Sequence, residues 1–229
     1  MPEIFPLSMG HCHVALIGTA KGFILVDTGV PGTLKILTGE LKRQGIGPKE
    51  VLLVVVTHAH YDHAGCLAAV RRLTGAEIAV HASEKGFLAQ GINAPARGTR
   101  RFSKAVYRLA RALTAKRMYE ATVPTILVDD AFNLAGFGVA GRIIHTPGHT
   151  AGSTSVVLDS GEAFVGDACF NVPIVGAGSV FPPFAADVPA LLRSWERLLG
   201  TGARTFFPAH GRPFDREKLV GSLARQRAR

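Results

Sequence analysis

Short apolar stretches separated by turn residues dominate the hydrophobic pattern of the first ninety residues. These stretches predict four strands, at His13–Ile17, Gly22–Asp27, Val51–Val56 and Glu77–Val80. Helical spacing occurs at Leu34–Gln44 and at Cys66–Leu73. Val51–Val56 is apolar throughout, without polar alternation, which is typical of a strand buried on both faces.

The strand pattern returns in the second half of the chain. It predicts strands at Thr125–Val128, Gly138–Ile144, Ser153–Leu158, Ala163–Val165 and Thr205–Phe207. A helix is expected at Pro189–Leu199, and a short basic helix ends the chain. Because strands dominate and helices are interspersed, we expect an α/β sandwich covered by helices on both faces. Neither an internal repeat nor a low-complexity linker is found, so residues 1–229 are expected to form one domain.

The segment at about residues 84–124 differs in kind and is predicted to be a basic helical insertion. Between Arg97 and Arg117 there are eight Lys or Arg residues and no Asp or Glu. Helical spacing places an apolar stripe apart from a basic stripe. The apolar stripe consists of Phe102, Val106, Leu109 and Leu113, and the basic stripe of Arg101, Lys104, Arg108 and Arg111. A substrate lid and a solvated helix face are both compatible with this pattern.

Composition narrows the class of protein without naming a partner. The apolar fraction of 47% is enough for a hydrophobic core, and the formal net charge of +9 favours anionic partners. The expected partner is a small molecule, either anionic or neutral; nucleic acid is the less favoured option, and the oligomeric state is open. A membrane-spanning helix needs about 20 apolar residues, far more than the Val51–Val56 run offers, so no membrane partner is expected. The N-terminal segment lacks a secretory pattern and the three cysteines form no CxxC pair, which favours a cytoplasmic location.

A histidine-rich motif directly follows the buried strand. His58, His60, Asp62 and His63 lie within six residues, in a chain that has nine histidines. Imidazole and carboxylate ligands suit zinc, manganese or iron rather than magnesium or calcium. His58 and His60 are two residues apart and point the same way on an extended segment, whereas Asp62 and His63 begin the next turn. One motif can therefore serve two adjacent metal ions.

Three further polar residues come just after apolar runs, each beside a glycine. They are His149 in HTPGHT, Asp167 in VGD and His210 in PAHG. Side chains at the ends of several strands converge on one edge of a sheet, where the support is rigid. We therefore expect these residues to meet the histidine-rich motif.

The motifs HAHYDHAG, HTPGHT, GD and PAHG, in this order, resemble those of the metallo-β-lactamase superfamily, and within it the glyoxalase II-like and lactonase-like branches. The resemblance implies a four-layer αββα sandwich with two divalent metal ions, zinc with iron or manganese as alternatives. It implies that His58, His60 and His149 hold the first metal and that Asp62, His63 and His210 hold the second. Asp167 would bridge the two.

What the resemblance implies about activity is a dinuclear metal-dependent hydrolase. A hydroxide bridging the metals would cleave a small ester, thioester or lactone, with Asp62 as the catalytic residue that orients it. Two alternatives use similar ligands: a metal-dependent nuclease or phosphodiesterase, and a mononuclear-iron enzyme like persulfide dioxygenase. Lactonases of the superfamily usually carry a tyrosine where this chain has Phe170, which argues against a lactone substrate.

Four other histidines are expected to be structural. His11 and His13 flank Cys12 in what the resemblance makes the first core strand, and His81 and His145 are placed at strand ends. Tyr61 lies inside the histidine motif and is expected either to line the pocket or only to pack.

Overall fold

The computed structural model describes residues 2–99, 103, 118–172 and 178–228. In these residues the strands form two six-stranded sheets. The first sheet contains β1 (Ile4–Ser8), β2 (His13–Gly18), β3 (Phe23–Val26), β4 (Val51–Val55), β5 (Glu77–His81) and β6 (Ile126–Val128), in that order. Its first three strands pair antiparallel and the remaining pairs are parallel.

The second sheet has the spatial order β12-β11-β10-β9-β8-β7. Its strands are β7 (Ala131–Asn133), β8 (Gly141–His145), β9 (Thr154–Leu158), β10 (Glu162–Asn171), β11 (Thr205–Gly211) and β12 (Phe214–Asp215). The helices are α1 (Leu34–Arg43), α2 (Tyr61–Ala64), α3 (Leu67–Thr74), α4 (Lys85–Gln90), α5 (Val188–Gly200) and α6 (Arg216–Arg227). β10 and β11 pair in parallel, and the other described strand pairs of this sheet are antiparallel.

Strand β4 shows why the sheets stack face to face under outer helices. Leu53 and Val55 point into a core shared with Val156 and Phe164 of the second sheet. Val54, on the opposite face, packs in a separate core with side chains of α1 and α3. A third core joins the second sheet to α5 and α6. These three cores make the four layers helix, sheet, sheet, helix, so the predicted αββα sandwich is confirmed.

Several predicted boundaries were wrong for local reasons. The prediction omitted β1, an edge strand that contains Pro6, where an absent N–H is tolerated. The strand expected at Gly138–Ile144 begins only at Gly141, because a 3₁₀ turn at Ala135–Phe137 ends at Gly138 with φ +85°. Strand β10 is much longer than Ala163–Val165, since the chain continues through a register shift at Gly166.

The predicted insertion is described only in part. It begins with the short helix α4, which ends at Gly91 in a left-handed conformation. Residues 100–102 and 104–117, which carry the predicted apolar and basic stripes, lie outside the described residues. The amphipathic helix and the single-domain organisation stay predictions. Among the described residues, no helix has the length and apolar character needed to cross a membrane.

Trp195 anchors α5 beneath the second sheet and offers a direct test of this packing. Its side chain is fully buried, and its indole N–H donates a 2.8 Å hydrogen bond to the carbonyl of Ala168 in β10. Truncation leaves a cavity and an unpaired carbonyl, so we expect Trp195→Ala to lower the free energy of unfolding by about 3–5 kcal/mol. Urea denaturation measures the loss. The control Val220→Ala removes an exposed side chain of α6 and is expected to change the free energy by less than about 0.5 kcal/mol; equal losses would contradict the packing.

Candidate metal centre

The histidine-rich motif lies where β4 leaves the first sheet. Residues 57–59 form a bend in which the N–H of His60 donates a 3.0 Å hydrogen bond to the carbonyl of His58. His60 is extended, and α2 begins at Tyr61. His58 and His63 are completely buried, although both are polar. The extended segment predicted for His58 and His60 is therefore wrong, because the chain bends between them. Asp62 and His63, in α2, nevertheless fall in a different group from His58 and His60, as predicted.

The second sheet supplies the remaining candidates from three positions. His149 lies in the loop between β8 and β9, as expected. Asp167 and His210 were expected after strands, but they lie within β10 and β11. The reason is Gly166, whose φ of +50° accompanies the register shift between these two strands. A side chain there would collide with Thr57, since a Cβ would lie 2.7 Å from its Oγ1.

All seven sequence-predicted residues come together in two groups whose potential ligand atoms lie within 4.8 Å of one another. The first group is His58, His60, His149 and Asp167; the second is Asp62, His63 and His210. In the first group, Nδ1 of His60 lies 3.0 Å from Nε2 of His58 and 3.2 Å from Nε2 of His149.

The carboxylate of Asp167 directs one oxygen toward each of the two groups. Its Oδ2 lies 3.4 Å from Nε2 of His149, in the first group. Its Oδ1 lies 3.3 Å from Nε2 of His63 and 3.4 Å from Nε2 of His210, in the second group. This carboxylate can therefore contact a cation on either side.

Each imidazole is anchored through its outer nitrogen. In the first group, Nε2 of His60 lies 2.8 Å from the carbonyl of Ala94 and Nδ1 of His149 lies 3.0 Å from that of Phe184. Carbonyl oxygens only accept hydrogen bonds, so these outer nitrogens donate. The inner nitrogens, Nδ1 of His60 and Nε2 of His149, then carry lone pairs that face each other. Such an arrangement fits a shared cation, and outer-nitrogen anchoring is typical of metal-binding histidines.

The second group is anchored in the same way. Nδ1 of His210 donates to the carbonyl of His11 at 2.9 Å, and Nδ1 of His63 lies 2.8 Å from Oδ2 of Asp27. Asp27 also accepts hydrogen bonds from the backbone N–H and the hydroxyl of Thr57, both at 2.8 Å, which ties β3 to the start of the motif. Its φ of +63° aims its carboxylate at these donors.

Within the described part of the chain, two buried atoms of the site form no hydrogen bond, although they lie 3.3 Å apart: Nε2 of His63 and Oδ1 of Asp167. An unpaired buried polar atom is costly, so native structures rarely leave one without a reason. Both atoms point at the second group, where a metal ion would satisfy them. The residues present therefore fit the divalent metals that the sequence indicates.

Sequence reasoning missed His11. It was assigned to a core strand, but it precedes β2 and its side chain is 56% exposed. Its Nε2 lies 3.3 Å from Oδ2 of Asp62 and 3.1 Å from the hydroxyl of Tyr61. His11 therefore lies at the mouth of the second group.

Of the other residues considered from the sequence, Phe170 lies at the site, whereas His81 and His145 lie outside it. Phe170 stacks on His210 with ring centroids 4.6 Å apart, so it lines the second group without a hydroxyl. His81 and His145 stack on each other at 3.9 Å and belong to neither group.

A family model described as the metallo-beta-lactamase superfamily matches residues 8–210. The chain belongs to this superfamily. The match extends from β1 to His210 and therefore includes every element that carries a site residue.

Relatives within the superfamily resemble the chain to different extents. A mouse protein named metallo-beta-lactamase domain-containing protein 1 is 30% identical over 91% of this chain and 67% of its own length. The human protein of that name is 48% identical, but over only 27% of this chain and 23% of its own length. The probable metallo-hydrolase YflN of Bacillus subtilis (strain 168) is 24% identical over 92% of this chain and 83% of its own.

Solved structures of the superfamily share the fold. BLEG-1 B3 metallo-beta-lactamase aligns with a TM-score of 0.70 at 23% identity, covering 97% of this chain and 95% of that one. TTHA1623 in a di-iron-bound form aligns with a TM-score of 0.68 at 23% identity, covering 96% of this chain and 97% of that one. At this identity the likeness concerns the fold alone.

Burial divides the histidines of this superfamily member into two electrostatic classes. Desolvation lowers the pKa of His58 and of His60, and it lowers that of His149 to about 4. These side chains are neutral at pH 7. Burial also opposes the charge on His63 and His210, but neighbouring acidic groups outweigh it and raise both pKa values. These groups are Cys12, Asp27, Asp167 and Asp62 for His63, and Asp167 and Asp62 for His210.

The carboxylates respond to the same neighbours. Burial alone would raise the pKa of Asp62 and of Asp167, but His63 and His210 lower both well below the ordinary value. Both side chains are therefore ionised at neutral pH, as ligands to a cation must be.

The two electrostatic classes predict different pH dependence of metal binding at the two groups. A metal entering the second group must displace protons from His63 and His210, whose pKa values are raised, so its affinity should increase with pH above about 6.5. The histidines of the first group are already neutral there, so affinity should change little. Calorimetric zinc titrations at pH 6, 7 and 8, in buffers of different ionisation enthalpy, measure the protons released. Equal proton release in both binding steps would contradict the assignment.

Proposed function

We propose that this chain is a metal-dependent hydrolase that cleaves a small ester, thioester or lactone. Two divalent metal ions, zinc in the first instance, would be held by the two groups. The observation that carries the proposal is the position of Asp167, whose two oxygens face separate clusters of inward-directed imidazole nitrogens. The relative named probable metallo-hydrolase and the di-iron form of a structural neighbour support the coarser assignment to a metal-dependent enzyme.

In the proposed arrangement His58, His60 and His149 hold the first metal, while Asp62, His63 and His210 hold the second. Asp167 contacts both. When bound, a pair of divalent ions supplies a Lewis acid and lowers the pKa of a bound water toward neutrality. The protein contributes ligands that are shielded from bulk solvent, since His58, His63, His149 and Asp167 are all buried.

Asp62 is suited to orient the attacking water. Its side chain is 13% exposed, so solvent can reach it, and Oδ2 lies 3.4 Å from Nε2 of His210. Because its pKa lies well below the ordinary value, the carboxylate is ionised and accepts a hydrogen bond from water. Nε2 of His11 lies 3.3 Å from Oδ2 of Asp62, and the hydroxyl of Tyr61 lies 3.1 Å from the same nitrogen.

The substrate proposed is a small, anionic molecule. The net charge of +9 favours such a substrate through long-range attraction. Phe170 lies against His210 and offers only an apolar contact. The lactonases that the sequence resembles usually have a tyrosine at this position, whose hydroxyl helps to hold the lactone. An ester or a thioester is therefore favoured over a lactone.

The first test compares metal content with activity on a panel of thioesters, esters, lactones and phosphodiesters. We expect about two zinc ions per chain, and hydrolysis of a thioester or ester that is lost on chelation and restored by zinc. One iron per chain would favour the dioxygenase alternative. Phosphodiester cleavage, with substrate affinity that falls steeply as salt increases, would instead indicate a nuclease.

The second test removes the charge of Asp62. Asp62→Asn keeps the size of the side chain but weakens its ability to orient water and accept a proton, so kcat is expected to fall by about 10²–10⁴-fold. Steady-state kinetics on zinc-loaded protein of measured metal content checks this. The control is Asp159→Asn, which neutralises an exposed carboxylate of the second sheet. Unchanged kcat in Asp62→Asn with full metal content would contradict the role.

A further inference from the structure

Glu84 is a buried acidic residue between the two loops that carry the first group. It follows β5 at the end of a 3₁₀ turn, Ala82–Glu84, and directly precedes α4. Its relative exposure is 1%. The mechanism proposed above does not use it, and it lies outside both groups of potential ligands.

The carboxylate of Glu84 joins two loops that are far apart in sequence. Its Oε2 accepts a hydrogen bond from the backbone N–H of Ala59 at 2.9 Å. Its Oε1 accepts one from the hydroxyl of Thr150 at 2.8 Å and one from the backbone N–H of Gly152 at 3.1 Å. Ala59 lies between His58 and His60, and Thr150 directly follows His149.

Both oxygens of Glu84 are required as acceptors. The N–H groups of Ala59 and Gly152 can only donate, and each faces a different oxygen of the carboxylate. Within the described part of the chain, no Lys or Arg forms an ion pair with Glu84. Its three hydrogen bonds are therefore the described interactions that offset the cost of burying this carboxylate.

The packing leaves Glu84 little freedom. A Cβ added to Gly152 would lie 2.5 Å from Cγ of Glu84. The His58–His60 segment has a second support. The carbonyl of Ala59, whose N–H donates to Glu84, accepts a hydrogen bond from the N–H of Ala94 at 2.8 Å. The carbonyl of Ala94 also accepts a hydrogen bond from Nε2 of His60. The backbone between His58 and His60 is thus held on both sides by residues of one segment, 84–94.

We propose that Glu84 is a positioning residue that holds the His58–His60 segment and the His149 loop at a fixed separation, and thereby sets the metal affinity of the first group. The inference rests on the proposed metal site. The second group takes Asp62, His63 and His210 from α2 and β11, and the hydrogen bonds described for Glu84 go to other residues. Loss of Glu84 should therefore weaken one group selectively.

The test is Glu84→Gln, which preserves size but turns an amide NH₂ toward one of the backbone N–H donors. Stepwise Co²⁺ titration, followed by absorption spectroscopy, gives two Kd values, and His149→Ala and His210→Ala assign each step to its group. We expect Kd of the first group to rise by about 10–100-fold, the usual effect of removing a group that orients metal ligands, and Kd of the second to change less than about twofold. Glu77→Gln, at the exposed start of β5, is the matched control and should leave both values unchanged.

A second readout does not depend on metal. In the metal-free protein, hydrogen exchange should accelerate by about tenfold or more at the Ala59 amide, the Gly152 amide or both in Glu84→Gln, because the variant leaves at least one of these donors without an acceptor. Amides of β2 should keep their wild-type rates. Should wild-type protein bind no metal, the proposed function fails, and this exchange experiment still decides the role of Glu84. Parallel weakening of both metal sites, or unchanged exchange at Ala59 and Gly152, would overturn the inference.

Two further variants keep the test decisive if Glu84→Gln does not fold. Thr150→Val removes only the hydroxyl donor to Oε1, and we expect a smaller loss of affinity, confined to the first group. Gly152→Ala leaves the carboxylate intact but forces it aside, and should reproduce the selective loss. Wild-type affinities in both variants would also overturn the inference.

Discussion

The direction in which the imidazoles are turned is the constraint on which the site depends. His60, His149 and His210 each give their outer N–H to a backbone carbonyl, and the outer nitrogen of His63 lies against the carboxylate of Asp27. The inner nitrogens consequently converge on the two sides of Asp167. A protein without a cation here would leave lone pairs opposed and buried atoms unpaired, which is expensive in a dry interior.

Buried carboxylates outside the two groups support this arrangement from the first sheet. Asp27 fixes Thr57 and His63, and Glu84 binds the backbone beside His58, His60 and His149. Asp27 directly follows β3, and Glu84 ends the 3₁₀ turn that follows β5, so both lie at ends of strands of the first sheet. Their negative charges also favour binding of divalent cations nearby.

The layered fold could be predicted from sequence because the sheets are built from local patterns. Val51–Val56 is apolar at every position, and the structure divides these side chains between two cores. The sequence motifs also indicated which histidines and aspartates meet. Strand β10 was underestimated, because Gly166 and Asp167 interrupt its apolar pattern although the strand continues through them.

The residues that sequence reasoning missed act through distant contacts. His11 approaches Asp62 across a separation of 51 residues (62 − 11), and Glu84 reaches Gly152 across 68. No local periodicity encodes such pairs. The only local signal for Glu84 is its place three residues after β5, between Ser83 and Lys85, where an acidic residue is ordinarily expected to be solvated.

Anomalous diffraction from crystals of the zinc-loaded protein, recorded on both sides of the zinc absorption edge, tests the central claim most directly. The account predicts two zinc peaks about 3.5–4 Å apart, one on each side of Asp167. The first should lie among His58, His60 and His149, and the second among Asp62, His63 and His210. A single peak bound by other residues, or no peak between the histidine clusters, would contradict it.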